Sequence, residues 1–203
     1  MKFSKFFSKL QEAPWYRQFL NPVLDEIEYS SSLLDIGTGS GKMLEILSVE
    51  KNVKGIGTDT NEDMLKEGKE KLLHTNAKLY LIPPGEELPF EKGSFDYVTM
   101  CSVLFHLKEK EIDDMLKDSL QVLKVGGKII ILTPTGNGNM KQLSRHFFSL
   151  KNKDIYIWYR ATKNRARLWS KNQYLIQFVN KNKLKYESRI VMHGFAQLEI
   201  ITK

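Results

Sequence analysis

Apolar positions along the chain switch between two spacings. Phe3, Phe6, Phe7 and Leu10 recur at helical spacing with Lys2, Lys5 and Lys9 between them, which predicts a helix over residues 2–10. A second helix is predicted over 16–28, with Pro22 as a point where it can break. A regular alternation follows. Short apolar strands are expected at 33–36, 53–58, 78–82, 95–101 and 128–133. Helices are expected at 41–49, at 62–73 behind an Asn61 cap, and at 109–123. Gly126 and Gly127 mark the turn into the last of these strands. Strand–helix alternation of this kind predicts an α/β fold, a mostly parallel sheet covered on both faces. Beyond it, Gly136 and Gly138 open a loop and a helix is expected from Met140. Residues 154–183 are aromatic and basic, with helix expected in their second part. Strands at 185–192 and 196–202, joined around His193 and Gly194, form an antiparallel pair.

Composition narrows the class. The 203 residues are 41% hydrophobic and 27% charged, which suits one globular domain and excludes a disordered or fibrous chain. The longest clear apolar run, 129–132, is strand-sized. The first ten residues lack an uninterrupted apolar core and make a poor signal peptide. A lone cysteine, Cys101, excludes an internal disulfide and fits a reducing cytoplasm. The net charge of +7 is unevenly spread: 17 basic and 21 acidic residues up to Thr133, then 14 and 3 from Pro134. That division excludes a uniformly basic nucleic-acid protein and poses the question of what the last third is basic for.

The chemistry begins at Leu33-Leu34-Asp35-Ile36-Gly37-Thr38-Gly39-Ser40-Gly41, a glycine-rich turn between a strand and a helix. A phosphate-binding P-loop requires Gly where Ile36 stands and Ser or Thr where Met43 stands. A dinucleotide loop requires a third Gly or Ala where Lys42 stands. What remains suits a nucleoside ligand without a pyrophosphate. Asp59, at the end of the second strand, offers a carboxylate to both hydroxyls of a ribose, while Asn61 already serves the cap of the next helix.

With these residues the chain resembles the class I S-adenosylmethionine-dependent methyltransferases, in particular the small-molecule group that includes the ubiquinone and menaquinone biosynthesis methyltransferases. The glycine turn resembles the first family motif, and Gly57-Thr58-Asp59 followed by Met64-Leu65 the second. Glu86-Glu87-Leu88-Pro89-Phe90, then Ser94-Phe95-Asp96-Tyr97-Val98, resembles a third stretch. Val103 to Leu107 and Val122 to Gly127 complete the order. The likeness covers about residues 30–135. It implies a Rossmann-like three-layer sandwich: a seven-stranded, mostly parallel sheet with an antiparallel C-terminal strand and an N-terminal helical lid. It implies one domain, with a lid at 1–30, a cofactor-binding core at 31–135 and a substrate-side region at 136–203.

The resemblance further implies S-adenosylmethionine as cofactor and a methyl group passed to a small, anionic or amphipathic acceptor. Gly37, Thr38 and Gly39 would lie against its methionine part and Asp35 would hold its amino group. Asp59 would bind the ribose, Thr60 and Met64 would border the adenine, and the backbone of Cys101 would face the sulfonium. The family usually carries an acid where Pro84 stands here, leaving the N–H of Gly85 or Glu86 to meet the adenine. His106 is the leading candidate base; Tyr16, His146 and Tyr156 are weaker ones, and His193 reads as structural. No metal site is predicted. Two other readings compete: an RNA methyltransferase using Arg160, Arg165 and Arg167 among their aromatic neighbours, and a non-catalytic cofactor-binding module. The absence of an added RNA-binding domain favours the small acceptor. The Phe/Lys helix is too short for a stable membrane anchor and reads as a lid.

Overall fold

The computed structural model describes residues 3–203; the predicted start of the first helix at Lys2 lies outside the described residues. α1 (Phe3–Gln11) and α2 (Pro14–Leu24) meet at a corner. Pro14 opens α2, where a missing N–H leaves no bond unmade. Pro22 does not break α2: it falls in the last turn, and the helix ends two residues later. Next come β1 (Ser32–Ile36), α3 (Lys42–Lys51), β2 (Lys54–Asp59), α4 (Glu62–Lys71), β3 (Lys78–Leu81), β4 (Phe95–Cys101), α5 (Glu109–Val122) and β5 (Leu123–Pro134). The chain finishes with α6 (Met140–Phe147), α7 (Asp154–Asn172), α8 (Tyr174–Asn182), β6 (Lys185–Val191) and β7 (Ala196–Thr202).

The seven strands form one sheet in the order β3-β2-β1-β4-β5-β7-β6. β7 runs antiparallel to both neighbours and every other pairing is parallel. Strand residues alternate between two apolar layers, as period-two geometry requires. Leu33, Ile130, Leu132 and Ile200 pack with Trp15, Phe19 and Leu44. Leu34, Met100, Ile129 and Ile131 pack with Leu116 and Phe178 on the opposite face.

Two expectations are corrected. β5 starts at Leu123 rather than at Lys128: Leu123 pairs with Phe95, and the register then jumps so that Lys128 pairs with Tyr97. The extra residues bulge through Gly126 (φ +77°), and a Cβ on Gly127 would lie 3.0 Å from the carbonyl oxygens of Asp96 and Lys124, tighter than side chains normally pack. Residues 154–183 are helical almost throughout, broken only at Gln173 in the left-handed region. α7 also changes layers. Its start (Ile155, Trp158, Tyr159) belongs to the first apolar cluster and its end (Trp169) to the second, so it passes from one layer to the other near the carboxyl ends of β4 and β5. It touches the turn after β4, and Arg167 Nε donates to Gly136 O at 2.9 Å just beyond β5.

Candidate functional site

The strand order reverses between β1 and β4, which opens a crevice at the carboxyl ends of these strands, the usual ligand position in open α/β sheets. The glycine turn closes one side of it. Gly37 and Gly39 sit at φ +73° and +59°. A Cβ on Gly37 would lie 2.4 Å from Val103 Cγ2, so only glycine meets both the turn and the packing. The Gly37 and Thr38 N–H groups donate to Thr58 O at 2.8 and 3.0 Å, which ties the turn to β2.

Asp59 lies against this turn. Its carboxylate accepts from the Gly39 N–H and the Asn61 N–H, both at 2.9 Å. It does not cap α4; Asn61 does, accepting from the N–H groups of Asp63 and Met64. Met64 is buried, its Cε near Gly39, while Thr60 is exposed.

Asp35 is buried in the middle of β1 and accepts from the Thr99 hydroxyl at 2.8 Å. Burial pushes its carboxyl up to about 7, against the pull of the Thr99 hydrogen bond. Cys101 ends β4, its Sγ 3.9 Å from Met43 Sδ, and burial raises its thiol well above the ordinary range. It is a packing residue with no activated thiolate. Two further hydroxyls at this edge, Thr38 Oγ1 and Ser102 Oγ, are buried with no hydrogen-bond partner among the described residues. Buried polar groups are normally paired, so this edge suits a polar ligand. Ser102 is also held in the left-handed region at φ +60°.

The corner between α1 and α2 closes over the turn. Gln11 Oε1 accepts from Ser40 Oγ at 2.5 Å and Ser40 N at 3.3 Å, and Gln11 Nε2 donates to the Tyr16 hydroxyl at 3.0 Å. Glu12 binds Lys42 at 2.5 Å and Lys71 at 2.6 Å, and Lys71 also donates to Ser40 Oγ. Tyr16 is buried, and burial, with Cys101 and Asp35 adding to it, raises its hydroxyl. Of the flanking candidates, Tyr16 is brought to the crevice. Nothing in the sequence pattern marks Gln11, whose contact with Ser40 of the glycine turn spans 29 positions.

His106 ends a short 3-10 turn, Leu104–His106, beyond β4. Its Nδ1 lies 2.9 Å from Arg165 Nη1 on α7. A guanidinium only donates, so Nδ1 accepts and the neutral ring carries its proton on Nε2. Burial, then the Arg165 charge, lowers the His106 pKa, which keeps the ring neutral. Pro84 and a left-handed Gly85 (φ +84°) form an exposed turn, closed by the Glu86 N–H to Pro83 O at 3.2 Å. Proline stands here as a turn former, and the Glu86 N–H is already taken. His146 and His193 stack on each other, ring centroids 4.1 Å apart, and Tyr156 bonds Ser144; these contacts are not with the glycine turn.

The donor set suits S-adenosylmethionine: glycine N–H groups in a turn without Cβ atoms, a carboxylate at the end of β2, a buried acid under the turn and unpartnered hydroxyls beside it.

Comparison with known proteins agrees. Residues 34–131 match the family described as "Methyltransferase domain". The ubiquinone/menaquinone biosynthesis C-methyltransferase UbiE of Rickettsia typhi is 31% identical over 126 residues, covering 58% of this chain and 49% of the relative. That of Rickettsia felis is 30% identical over 138 residues, covering 64% and 51%. The chain thus spans about half the length of the curated relatives it matches. A SAM dependent methyltransferase from Aquifex aeolicus superposes with TM-score 0.71 at 18% identity over 99% of both chains. A putative S-adenosyl-L-methionine-dependent methyltransferase from Methanococcus maripaludis superposes with TM-score 0.72 at 17% identity, covering 98% of this chain and 91% of that one. At such identities these two likenesses speak for the fold.

Proposed function

We propose that the chain is a class I S-adenosylmethionine-dependent methyltransferase that methylates a small acceptor bearing an anionic group, a reading supported by the match of residues 34–131 to the methyltransferase domain family. The observation that carries the reading is the Asp59 carboxylate held against the glycine turn. When bound, the cofactor's sulfonium supplies the activated methyl group. The chain's own task is to bind, align and keep water out. Gly37, Thr38 and Gly39 would hold the methionine part and Asp35 its amino group. Asp59 would exchange its N–H partners for ribose hydroxyls, with Thr60, Met64 and the 83–86 turn around the adenine. Gln11 and Tyr16, on the corner of the N-terminal helices, would close the site.

On the acceptor side, His106 with a protonated Nε2 offers a donor to an acceptor oxygen, and Arg165 supplies a positive charge beside it. This arrangement supports an orienting role for His106. A base role at Nδ1 requires Arg165 to leave first. The relatives' printed activity, C-methylation, supports carbon as the receiving atom. The basic character beyond Thr133 supports an anionic acceptor, and the lone, half-buried cysteine supports a cytoplasmic setting.

Calorimetric titration with S-adenosylhomocysteine tests the reading. The wild-type protein is expected to bind, and Asp59→Ala to bind on the order of 10–100-fold more weakly, the loss of charge-assisted hydrogen bonds. Absence of binding at millimolar ligand, with Asp59→Ala indistinguishable, overturns it.

A further inference from the structure

Large apolar side chains stand exposed one after another along the elements that follow β5. Phe148 and Leu150, in the bend between α6 and α7, are 86% and 94% exposed, and Ile157 and Leu168 on α7 are 51% and 62% exposed. Single exposed apolar residues are ordinary, but a series on one continuous stretch is not. The helix explains the series. The buried positions of α7 (Ile155, Trp158, Tyr159, Ala166, Trp169) recur at helical spacing. They leave Ile157, Arg160 and Leu168 on the opposite, outward side.

The charge on this stretch is of one sign. Between 134 and 186 the only carboxylate is Asp154. Lys151, Lys153 and Arg160 border the apolar positions, are exposed and form no ion pair among the described residues. A basic rim around protruding apolar tips complements an anionic membrane surface, where apolar groups enter the headgroup boundary and cations meet lipid phosphate.

We propose that the α6–α7 bend and the outward face of α7 dock on an anionic lipid bilayer. A nucleic acid is the poorer fit, because Leu150, Ile157 and Leu168 have no ring on which a base stacks. The same helix carries Arg165 to His106, so docking sets the candidate site close to the lipid. No described helix is long and apolar enough to cross a membrane, so the attachment is peripheral. This surface does not depend on the methyl-transfer reading, and its test involves no cofactor.

Flotation with vesicles provides the test, using phosphatidylcholine alone and phosphatidylcholine mixed with phosphatidylglycerol at about 2:1. The full chain is expected to float with the mixed vesicles at low salt and to stay behind with phosphatidylcholine alone. The double variant Phe148→Ser, Leu150→Ser is expected to lose roughly tenfold or more in partitioning. Lys151→Glu with Lys153→Glu is expected to lose a similar amount, both with unchanged melting temperatures because the sites are exposed. Failure of the wild type to float with mixed vesicles overturns the proposal. So does equal flotation of the Phe148→Ser, Leu150→Ser variant. Retention by single-stranded RNA in preference to vesicles, unaffected by that variant, reassigns the cations to nucleic acid and also overturns it.

Discussion

Residues 31–135 and 136–203 carry charge in opposite ways. In the first region, six of thirteen cations form ion pairs with carboxylates of the region or of the neighbouring helices, among them Lys124 with Asp96, Lys117 with Asp113, and Lys42 and Lys71 with Glu12. In the second, Arg189 alone of fourteen basic residues forms an ion pair among the described residues, with Glu26 on the far side of the chain. Charges answered within a fold act on its stability and are worth little singly. Charges left unanswered on one sector raise the local concentration of anionic partners. The lesson is that the charge of the first region belongs to the architecture and that of the second to what it meets.

The comparison is sharpest at the exception inside the first region. Asp35 is a buried acid with a hydroxyl partner and no cation. Its folded pKa, about 7, lies above the ordinary value of 3.8, so the folded state holds the proton more tightly than the unfolded one. Stability therefore falls as pH rises from about 4 to about 7 and levels off above, by on the order of 4 kcal/mol at most. Asp35→Asn, which imitates the protonated acid, is expected to flatten that slope in chemical denaturation, to melt above the wild type at pH 8, and to weaken S-adenosylhomocysteine binding. A parallel pH slope in the variant contradicts the assignment.

Gly37→Ala is the next largest. The left-handed backbone and the 2.4 Å approach to Val103 predict a loss of about 2–3 kcal/mol in denaturant titration. Gly194→Ala in the second region, also at positive φ but with open space around it, is expected to cost only the backbone strain, about 1 kcal/mol. Equal losses at the two glycines would erase the distinction between a packed turn and a surface one.

The two regions were also unequally legible. The strands of the first were located within a residue or two, because parallel strands covered on both faces read as short apolar runs. Its exception, the early start of β5, hides behind the glycines of the bulge. α7 was only half read: Ile157 and Leu168 point outward, so its apolar positions do not fall on one stripe. In the candidate site, the glycine turn and Asp59 form a compact local pattern. Gln11 with Ser40 and His106 with Arg165 join positions 29 and 59 apart, and chain folding alone brings them together.

Arg165 tests whether the second region reaches into the site. Removal of its charge by Arg165→Ala is expected to raise the His106 pKa, read from imidazole proton resonances over a pH titration, since Arg165 helps to depress it. Stability is expected to stay within about 0.5 kcal/mol, because the side chain is exposed. An unmoved His106 titration would detach α7 from the candidate site.

A small, salt-dependent effect separates the two regions most directly. Asp96 accepts from Lys124 at 2.8 Å and from the Ser32 N–H and hydroxyl at 2.8 and 2.6 Å. Burial pushes its carboxyl up, but Lys124 and Ser32 outweigh burial and hold it below the usual carboxylate range. Its contribution is therefore present above about pH 4 and lost as pH falls through the depressed folded value. Lys124→Ala is expected to cost about 0.5–1 kcal/mol at neutral pH and low salt, less in high salt, and progressively less as pH falls below about 4. Arg160→Ala, an exposed cation of the second region with no carboxylate partner, is expected to leave the melting temperature unchanged at every pH and salt. A salt-dependent loss at Arg160 equal to that at Lys124 would show its charge to be answered within the fold, and the contrast between the two regions would fail.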